Sequence, residues 1–377
     1  MQQWARSAFL GAMFVVAYLL ILAWQKDYGH AETQPQPQQA AAVSHEVSAD
    51  LPNAQTASAA SDMPQANIAT QQPATEAKAS VNQQLISVQT DLYHLWINPK
   101  GGDIVRIELL NHDKSKDSNE AFVMLESDAK RTYVAQSGLI GLNGPDSNRS
   151  GRPMYEIEKS AYTLNDAKAV QIEDGKSIKV LTVPMVLKTA DGVEIIKTFT
   201  FKQGEYPVVV NHKVVNRSGQ NWQGQMFGQL KRDNSDDPGK SDQGIFTLGT
   251  FLGGAWGSPE EHYNKLKFAN FNEEKLNVEA KGGWVAMVQH YFVSAWIPGD
   301  LKLTQANGQP YVAKLESRKS TDDMNIIGFT SPTITVPAGT VAEIDATFYS
   351  GPKVQSELKE LATGLNQTVD YGWLWPI

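Results

Sequence analysis

The chain of 377 residues contains no cysteine. That excludes a disulfide framework, a thiol nucleophile, thiolate zinc and iron–sulfur sites. It also excludes a lipoprotein anchor acylated on cysteine. Positive charge is in short supply: 33 Lys+Arg stand against 41 Asp+Glu, a net charge of −8. Such a balance argues against a nucleic-acid binder, which needs a basic stripe to neutralise phosphates. Long apolar runs are missing with one exception, and the mean hydropathy is −0.35. A multi-spanning membrane protein is excluded for the chain as it stands. Aromatics are absent from residues 31–84.

The exception is residues 8–24, AFLGAMFVVAYLLILAW, which carry no charge. This is at the short end of what a bilayer-spanning helix requires. Arg6 and the α-amine precede it, while Lys26 and Asp27 cancel beyond it. The charge asymmetry predicts a cytoplasmic N-terminus and an exported remainder. Trp4, Trp24 and Tyr28 stand where interfacial aromatics belong. The small residues Gly29 and Ala31 around His30 also fit a signal-peptide cleavage site, but the apolar run is longer than a usual signal core. Residues 1–30 are therefore expected to be a membrane anchor. The Ala, Gln, Pro, Ser and Thr of residues 31–84 cannot bury a core and predict a disordered tether. Its typical reach is about 40 Å.

From Leu85 onward the pattern has period two, and residues 85–377 are expected to form one mainly β domain. Residues 85–89 and 92–97 read as strands, 98–103 as a turn and 104–110 as the returning strand. Asp191-Gly192 between residues 178–188 and 193–202 is a hairpin signal. Residues 206–215 and 341–349 alternate again. Residues 284–297 are apolar almost throughout and predict one long or two short core strands. Many strands parted by Gly, Asn and Asp turns point to a large antiparallel sandwich. One helix is expected at about 353–364, with Pro352 leading into its first turn and Gly364 at its stop. Val354, Leu358, Leu361 and Leu365 form its apolar stripe, and Glu357, Lys359 and Glu360 face away.

Catalytic signals are poor. No pair among the seven histidines has metal-ligand spacing. His94, His212 and His290 fall in predicted strands and read as structural. Asp233, Asp236 and Asp237 are clustered, but an EF-hand loop would need Gly where Pro238 stands and Glu where Gly244 stands. A solvated acidic loop is expected. Glu260, Glu261 and His262 are adjacent and diverge, so they form no acid–base group. The Gly-rich residues 251–257 and 281–284 lack a phosphate-binding signature and read as turns and close backbone packing. No metal, cofactor or catalytic residue is expected.

Several segments resemble the proteobacterial YidC family of membrane protein insertases. They are residues 136–147 (QSGLIGLNGPDS), 151–163 (GRPMYEIEKSAYT), 227–232 (FGQLKR) and 281–299 (KGGWVAMVQHYFVSAWIPG). Residues 368–376 (TVDYGWLWP) resemble the family's junction between periplasmic domain and membrane core. The order of anchor, tether and β domain is the family's order too. The resemblance implies a retained first membrane helix in the bacterial inner membrane. It implies a β-sandwich of the mutarotase-like super-sandwich type, closed by a C-terminal helix. It also implies assistance to the insertion, folding and assembly of inner-membrane proteins, with or without the Sec translocon, and no enzymatic reaction. In the family, five further membrane helices enclose a polar groove with an arginine. No second apolar run occurs in residues 1–377, so this chain is expected to hold the anchor and periplasmic domain without that groove. Its implied partners are the lipid bilayer, nascent inner-membrane proteins and SecD–SecF.

The stretch implied to contact SecD–SecF is about 248–297. It contains Phe251, Leu252, Trp256, Tyr263, Trp284, Tyr291 and Trp296, of which the exposed members are candidate anchors. The helix residues Val354, Leu358 and Leu361 are implied to couple the sandwich to the membrane core. The alternative, resting on fold analogy alone, is a sugar-binding or mutarotase-like periplasmic domain.

Overall fold

A computed structural model describes Pro64 and residues 84–369, except 115–117, 149–150, 172–174, 239–250 and 300–310. The expected anchor and, apart from Pro64 and Gln84, the tether lie outside the described residues. Among the described residues no helix is long and apolar enough to cross a membrane.

The chain begins with β1 (Ile86–Gln89), β2 (Tyr93–Asn98), β3 (Asp103–Asp113), β4 (Ala121–Ser127) and β5 (Thr132–Ile140). After a 3₁₀ turn at Pro145–Ser147 come β6 (Glu156–Ile157), β7 (Ala161–Thr163), β8 (Lys168–Gln171) and β9 (Ser177–Lys188). Then follow β10 (Val193–Lys202), β11 (Val208–Asn216) and β12 (Trp222–Arg232). The second half holds β13 (Gly253–Gly257), β14 (Asn264–Lys267), β15 (Asn277–Ala280), β16 (Trp284–Val288) and β17 (Phe292–Pro298). It continues with β18 (Ala313–Lys319), β19 (Asn325–Thr330), β20 (Ile334–Val336) and β21 (Val341–Pro352). Helix α1 (Gln355–Leu361) and a 3₁₀ turn at Leu365–Thr368 close the chain.

These strands make a two-sheet sandwich. The first sheet runs β15-β18-β19-β12-β5-β4-β3-β2-β1-β7, with β20 also on β12. The second runs β14-β13-β16-β17-β21-β11-β10-β9-β6, with β8 also on β9. Pairing is antiparallel except for β1 with β7. The β9–β10 hairpin turns at Gly192, whose φ of 90° suits glycine, and pairs Lys188 with Glu194 as the Asp-Gly signal predicts. The inward row of β10 is Val193, Ile195, Lys197, Phe199 and Phe201, and that of β11 is Val208, Val210, His212 and Val214. One lysine and one histidine thus stand face to face in apolar rows, because Lys197 pairs with His212.

Residues 284–297 form two strands. Their turn, Gln289 to Tyr291, carries His290, so His290 does not lie in a strand as expected. Between the sheets lies Trp296, whose Nε1–H donates to the Gln229 carbonyl on β12 at 3.1 Å. The alternate residues of the same strand, Val293 and Ala295, therefore face away from the first sheet, yet they are fully buried. The C-terminal segment covers that outer face. Leu358 and Leu365 belong to the same apolar cluster as Val293, Ala295, Trp284, Ala286 and Val288. Small residues at 286 and 295, paired across β16 and β17, leave room for it.

Helix α1 is shorter than the expected 353–364. Pro352 ends β21 rather than opening the helix, and Val354 is the N-cap residue. The apolar stripe is correspondingly cut: Leu358 and Leu365 are buried and Leu361 partly so, while Val354 is 37% exposed. Gly364 takes φ +83°, beyond the helix, where it turns the chain into the final 3₁₀ turn.

Candidate partner-binding and coupling surface

The stretch 253–298 builds one lateral edge of both sheets. Its strands β14 and β15 end the second and first sheet respectively, and Phe271 fills the space behind them. The Gly-rich residues 253–257 form strand β13 rather than a turn. Their glycines do serve the expected close packing: a Cβ at Gly254 would come within 2.8 Å of the Phe271 ring. Gly282 and Gly283, with φ of 70° and 110°, do form the expected turn.

The seven aromatic and apolar candidates separate into three groups. Trp284 and Trp296 are core residues, 0% and 1% exposed, and present no side chain to a partner. Phe251, Leu252 and Trp256, on β13 or just before it, and Tyr263, just before β14, are half-buried at the sheet edge. Tyr291 is 70% exposed at the tip of the β16–β17 hairpin. Sequence reasoning passed over Lys265, whose Nζ lies 5.2 Å from the Phe251 ring centre and 6.0 Å from that of Tyr263. Tyr263 in turn stacks on Trp284 at 6.1 Å. The signal was present in the alternation of residues 263–267, YNKLK, where Leu266 is buried between two exposed lysines.

This edge is joined to the C-terminal segment. The Trp284 Nε1–H donates to the Thr363 carbonyl at 2.9 Å. Gly364 lies so close to the 258–263 turn that a Cβ there would overlap the His262 carbonyl. The Lys353 amide donates to the Tyr291 carbonyl at 3.0 Å, and its Nζ donates to the Thr368 carbonyl at 3.0 Å. The aromatic edge, the hairpin tip and the last described turn are therefore one packed unit. Glu260, Glu261 and His262 form no acid–base group: the Ser258 hydroxyl accepts the amides of Glu260 and Glu261 and donates to the Glu260 carboxylate.

A second polar cluster lies inside the sandwich. The Lys197 Nζ donates to the carbonyls of Gly101, Gly102 and Ser137 at 2.9, 3.0 and 2.8 Å. Burial, reinforced by Arg152, pushes its ammonium down to about 7. Three carbonyl acceptors match the three protons of the charged form and work in the opposite direction. Arg152 bonds Asp103 at 2.5 Å and pairs with Asp146 at 3.1 Å, and its guanidinium lies 5.3 Å from the Phe227 ring centre. Burial holds the Asp146 carboxyl above the usual carboxylate range and His212 well below the usual imidazole range. Lys197, His212 and Asp146 are shut away from solvent and Arg152 and Asp103 nearly so, and their bonds tie turns together.

The acidic loop is not simply solvated as expected. Asp233 accepts the Thr132 amide at 2.6 Å. Asp237 holds Arg232 at 2.8 Å and Gln289 at 2.6 Å. Among the described residues no group of three or more His, Asp or Glu side chains is placed to hold a metal. A depression lined by Gln225, Glu279, Lys314, Thr330 and Ser331 holds 120 Å³. An ordinary small-molecule site has about 300 Å³ or more, and no histidine lines this one.

Comparison with known proteins adds the following. The YidC periplasmic domain family matches residues 85–377. The membrane protein insertase YidC of Pseudomonas putida is 41% identical over 372 residues, 98% of this chain and 62% of that one. The protein of the same name from Stutzerimonas stutzeri is 41% identical over 374 residues, again 98% and 62%. The chain thus spans less than two thirds of the length of these curated relatives. Among solved structures, a galactose mutarotase related enzyme from Lactobacillus acidophilus is 10% identical with a TM-score of 0.43. It covers 71% of this chain and 97% of its own. A likeness at that level transfers neither residues nor function.

Proposed function

The chain belongs to the YidC periplasmic domain family, and from that premise we propose that it is the periplasmic binding and positioning part of a membrane protein insertase. Residues 8–24 anchor it in the inner membrane with the N-terminus inside. Residues 31–84 tether the sandwich, and the sandwich stands in the periplasm. Its role is to hold partners, SecD–SecF among them, beside the site where nascent inner-membrane proteins enter the bilayer. No group transfer or hydrolysis is involved.

The observation that supports this reading most is the Trp284–Thr363 hydrogen bond. It joins the stretch assigned to partner contact to the segment assigned to coupling, so force or position imposed on one is passed to the other. The partner-contact residues are the accessible ones: Tyr263, Phe251, Leu252 and Trp256 at the sheet edge and Tyr291 at the hairpin tip. Leu358 and Leu361 fix the coupling helix to the sheet, and the exposed Val354 begins it.

Recovery of SecD–SecF with the tagged chain from solubilised inner membranes tests the partner. Recovery is expected to fall several-fold with Tyr263→Ala and Tyr291→Ala combined, while the thermal unfolding of the variant stays within a few degrees. Undiminished recovery would sink the assignment. External protease should digest the sandwich in spheroplasts and leave it intact in whole cells. Protection in spheroplasts would overturn the location.

A further inference from the structure

The β16–β17 hairpin ends in a tip whose backbone is held on both sides. The Gln289 amide donates to the Phe292 carbonyl at 3.0 Å, and the Gln289 side chain donates to Asp237 at 2.6 Å. The Lys353 amide donates to the Tyr291 carbonyl at 3.0 Å. His290 and Tyr291 stand out from this frame with ring centres 3.9 Å apart, and Tyr291 is 70% exposed. Val354, 37% exposed, follows Lys353 at the head of α1. The Lys353 Nζ reaches the Thr368 carbonyl at 3.0 Å, so the tip lies beside the point where the chain passes into residues 370–377. Those residues read DYGWLWPI, with three rings and a single charge. Tyrosine and tryptophan collect at the headgroup layer of a bilayer, where the apolar body meets lipid and the polar tip meets water.

We propose that the β16–β17 tip rests on the lipid headgroup layer, with the Tyr291 ring and Val354 as its contacts. This rests on the reading that residues 8–24 anchor the chain. It goes beyond that reading by naming the face the sandwich turns to the bilayer when no partner protein covers the tip. The nearness of Tyr291 to Thr368 brings the tip to the level at which the aromatic segment meets lipid. Glu357 and Glu360 are exposed on α1 and are repelled by an anionic surface. The contact is therefore with zwitterionic headgroups and confined to the tip. One tyrosine and one valine hold a bilayer only weakly from free solution. On an anchored chain the contact is intramolecular, at an effective concentration on the order of millimolar, and a weak contact then suffices to orient the sandwich.

An exposed apolar side chain on a hairpin tip is often just solvated. The two readings part when Tyr291 is made acidic. A solvated ring is exchanged for aspartate without changing what the tip touches. A ring that lies among headgroups is not.

Because the chain has no cysteine, a fluorophore can be attached at one chosen residue of the full chain. The labelled chain is reconstituted in phosphatidylethanolamine–phosphatidylcholine vesicles, with a lipid spin-labelled at the headgroup or in the acyl chain as quencher. His290→Cys reports the tip and Val16→Cys the anchor. Asp191→Cys reports the exposed β9–β10 turn at the opposite end of the second sheet. Residue 16 is expected to be quenched from the acyl chain. Residue 290 is expected to be quenched from the headgroup several-fold more than residue 191, and H290C/Y291D to fall to the level of residue 191. Equal headgroup quenching at 290 and 191, with residue 16 still quenched, overturns the tip contact and leaves the anchor standing. That result would describe a solvated tip, or one covered by residues 370–377. Quenching at 290 that survives H290C/Y291D overturns the contact through Tyr291. If residue 16 is not quenched, both readings fall.

Discussion

The Trp284 indole is tied by its Nε1–H to the Thr363 carbonyl at 2.9 Å, across the outer face of the second sheet. Phe at this position keeps most of the packing but removes the donor. Trp284→Phe is expected to cost about 2–3 kcal/mol, combining the lost hydrogen bond with lost volume. Urea denaturation measures the sum. Amide exchange of residues 362–369 should accelerate more than that of β10, which lies far from the contact.

Gly364→Ala adds a Cβ against the His262 carbonyl at a φ of +83°. The left-handed conformation alone costs a non-glycine residue about 1–2 kcal/mol, and the overlap must also be relieved by moving the turn. Gly339→Ala is the matched control, with φ +75° and nothing within 4 Å. Both variants should lose the conformational amount. Only Gly364→Ala should also open the segment after Leu361 to limited proteolysis. Equal protease resistance would show that the close approach is not binding the C-terminal segment.

The Lys197 ammonium carries a pH signature. Its folded value, about 7, lies below the value of 10.5 for a free lysine. Between these two pH values the unfolded chain binds more protons than the folded one. Stability then rises with pH across the window, and the lysine's destabilising effect is fully present below about pH 7. The slope contributed by one such group is at most about 1.4 kcal/mol per pH unit. Lys197→Met should flatten the stability curve between pH 7 and 10 relative to the wild type. A parallel pair of curves would mean that the three carbonyls hold the ammonium near its ordinary value.

Arg152 is nearly buried, with a side chain 12% exposed, and its loss is expected to be costly. Arg152→Met strips the fully buried Asp146 of its cation and frees Asp103 from its 2.5 Å bond. Leaving such a charge uncompensated costs about 3–5 kcal/mol. Adding Asp146→Asn to the same chain should recover part of that loss. The double variant measured by urea denaturation decides it: no recovery would place the arginine's worth in its stacking on Phe227.

Tyr291 and Trp296 sit five residues apart and should behave oppositely. Tyr291→Ala removes a side chain that is 70% exposed and should alter stability by less than about 0.5 kcal/mol. Trp296→Ala empties the space between the sheets and should cost about 3–5 kcal/mol. Thermal unfolding separates them. A partner-binding defect in Trp296→Ala would therefore report unfolding.

The alternation of one buried and one solvated face made β1, β2, β9, β10, β11 and β21 legible in the sequence. Of the strands that sequence reasoning passed over, β5 and much of β12 are buried on both faces, while β6, β7 and β8 are short and largely exposed. On β12, Met226 and Leu230 face the core while Phe227 lies under Arg152 and Gln229 is covered by its neighbours. With both faces closed, period two disappears. The candidate surface was legible as a stretch and not as residues. Which tryptophans are core depends on sheet pairing, and Lys265 matters only because β13 brings Phe251 alongside it. The helix was legible in its stripe, but its start was misread because β21 continues through Pro352.

Where β16 and β17 lie, the outer face of the second sheet is apolar, and the chain's last described turns pack against it. A polypeptide ending at Pro352 would retain all twenty-one of the described strands. It would also uncover the face that Trp284 shares with Val288, Val293 and Tyr349, since the strand register puts them on one side and Trp284 bonds the missing segment. Such a product is expected to fold and then precipitate. A frameshift or proteolytic nick between residues 353 and 365 would therefore be read by the cell as an aggregation event rather than as a small loss of sequence.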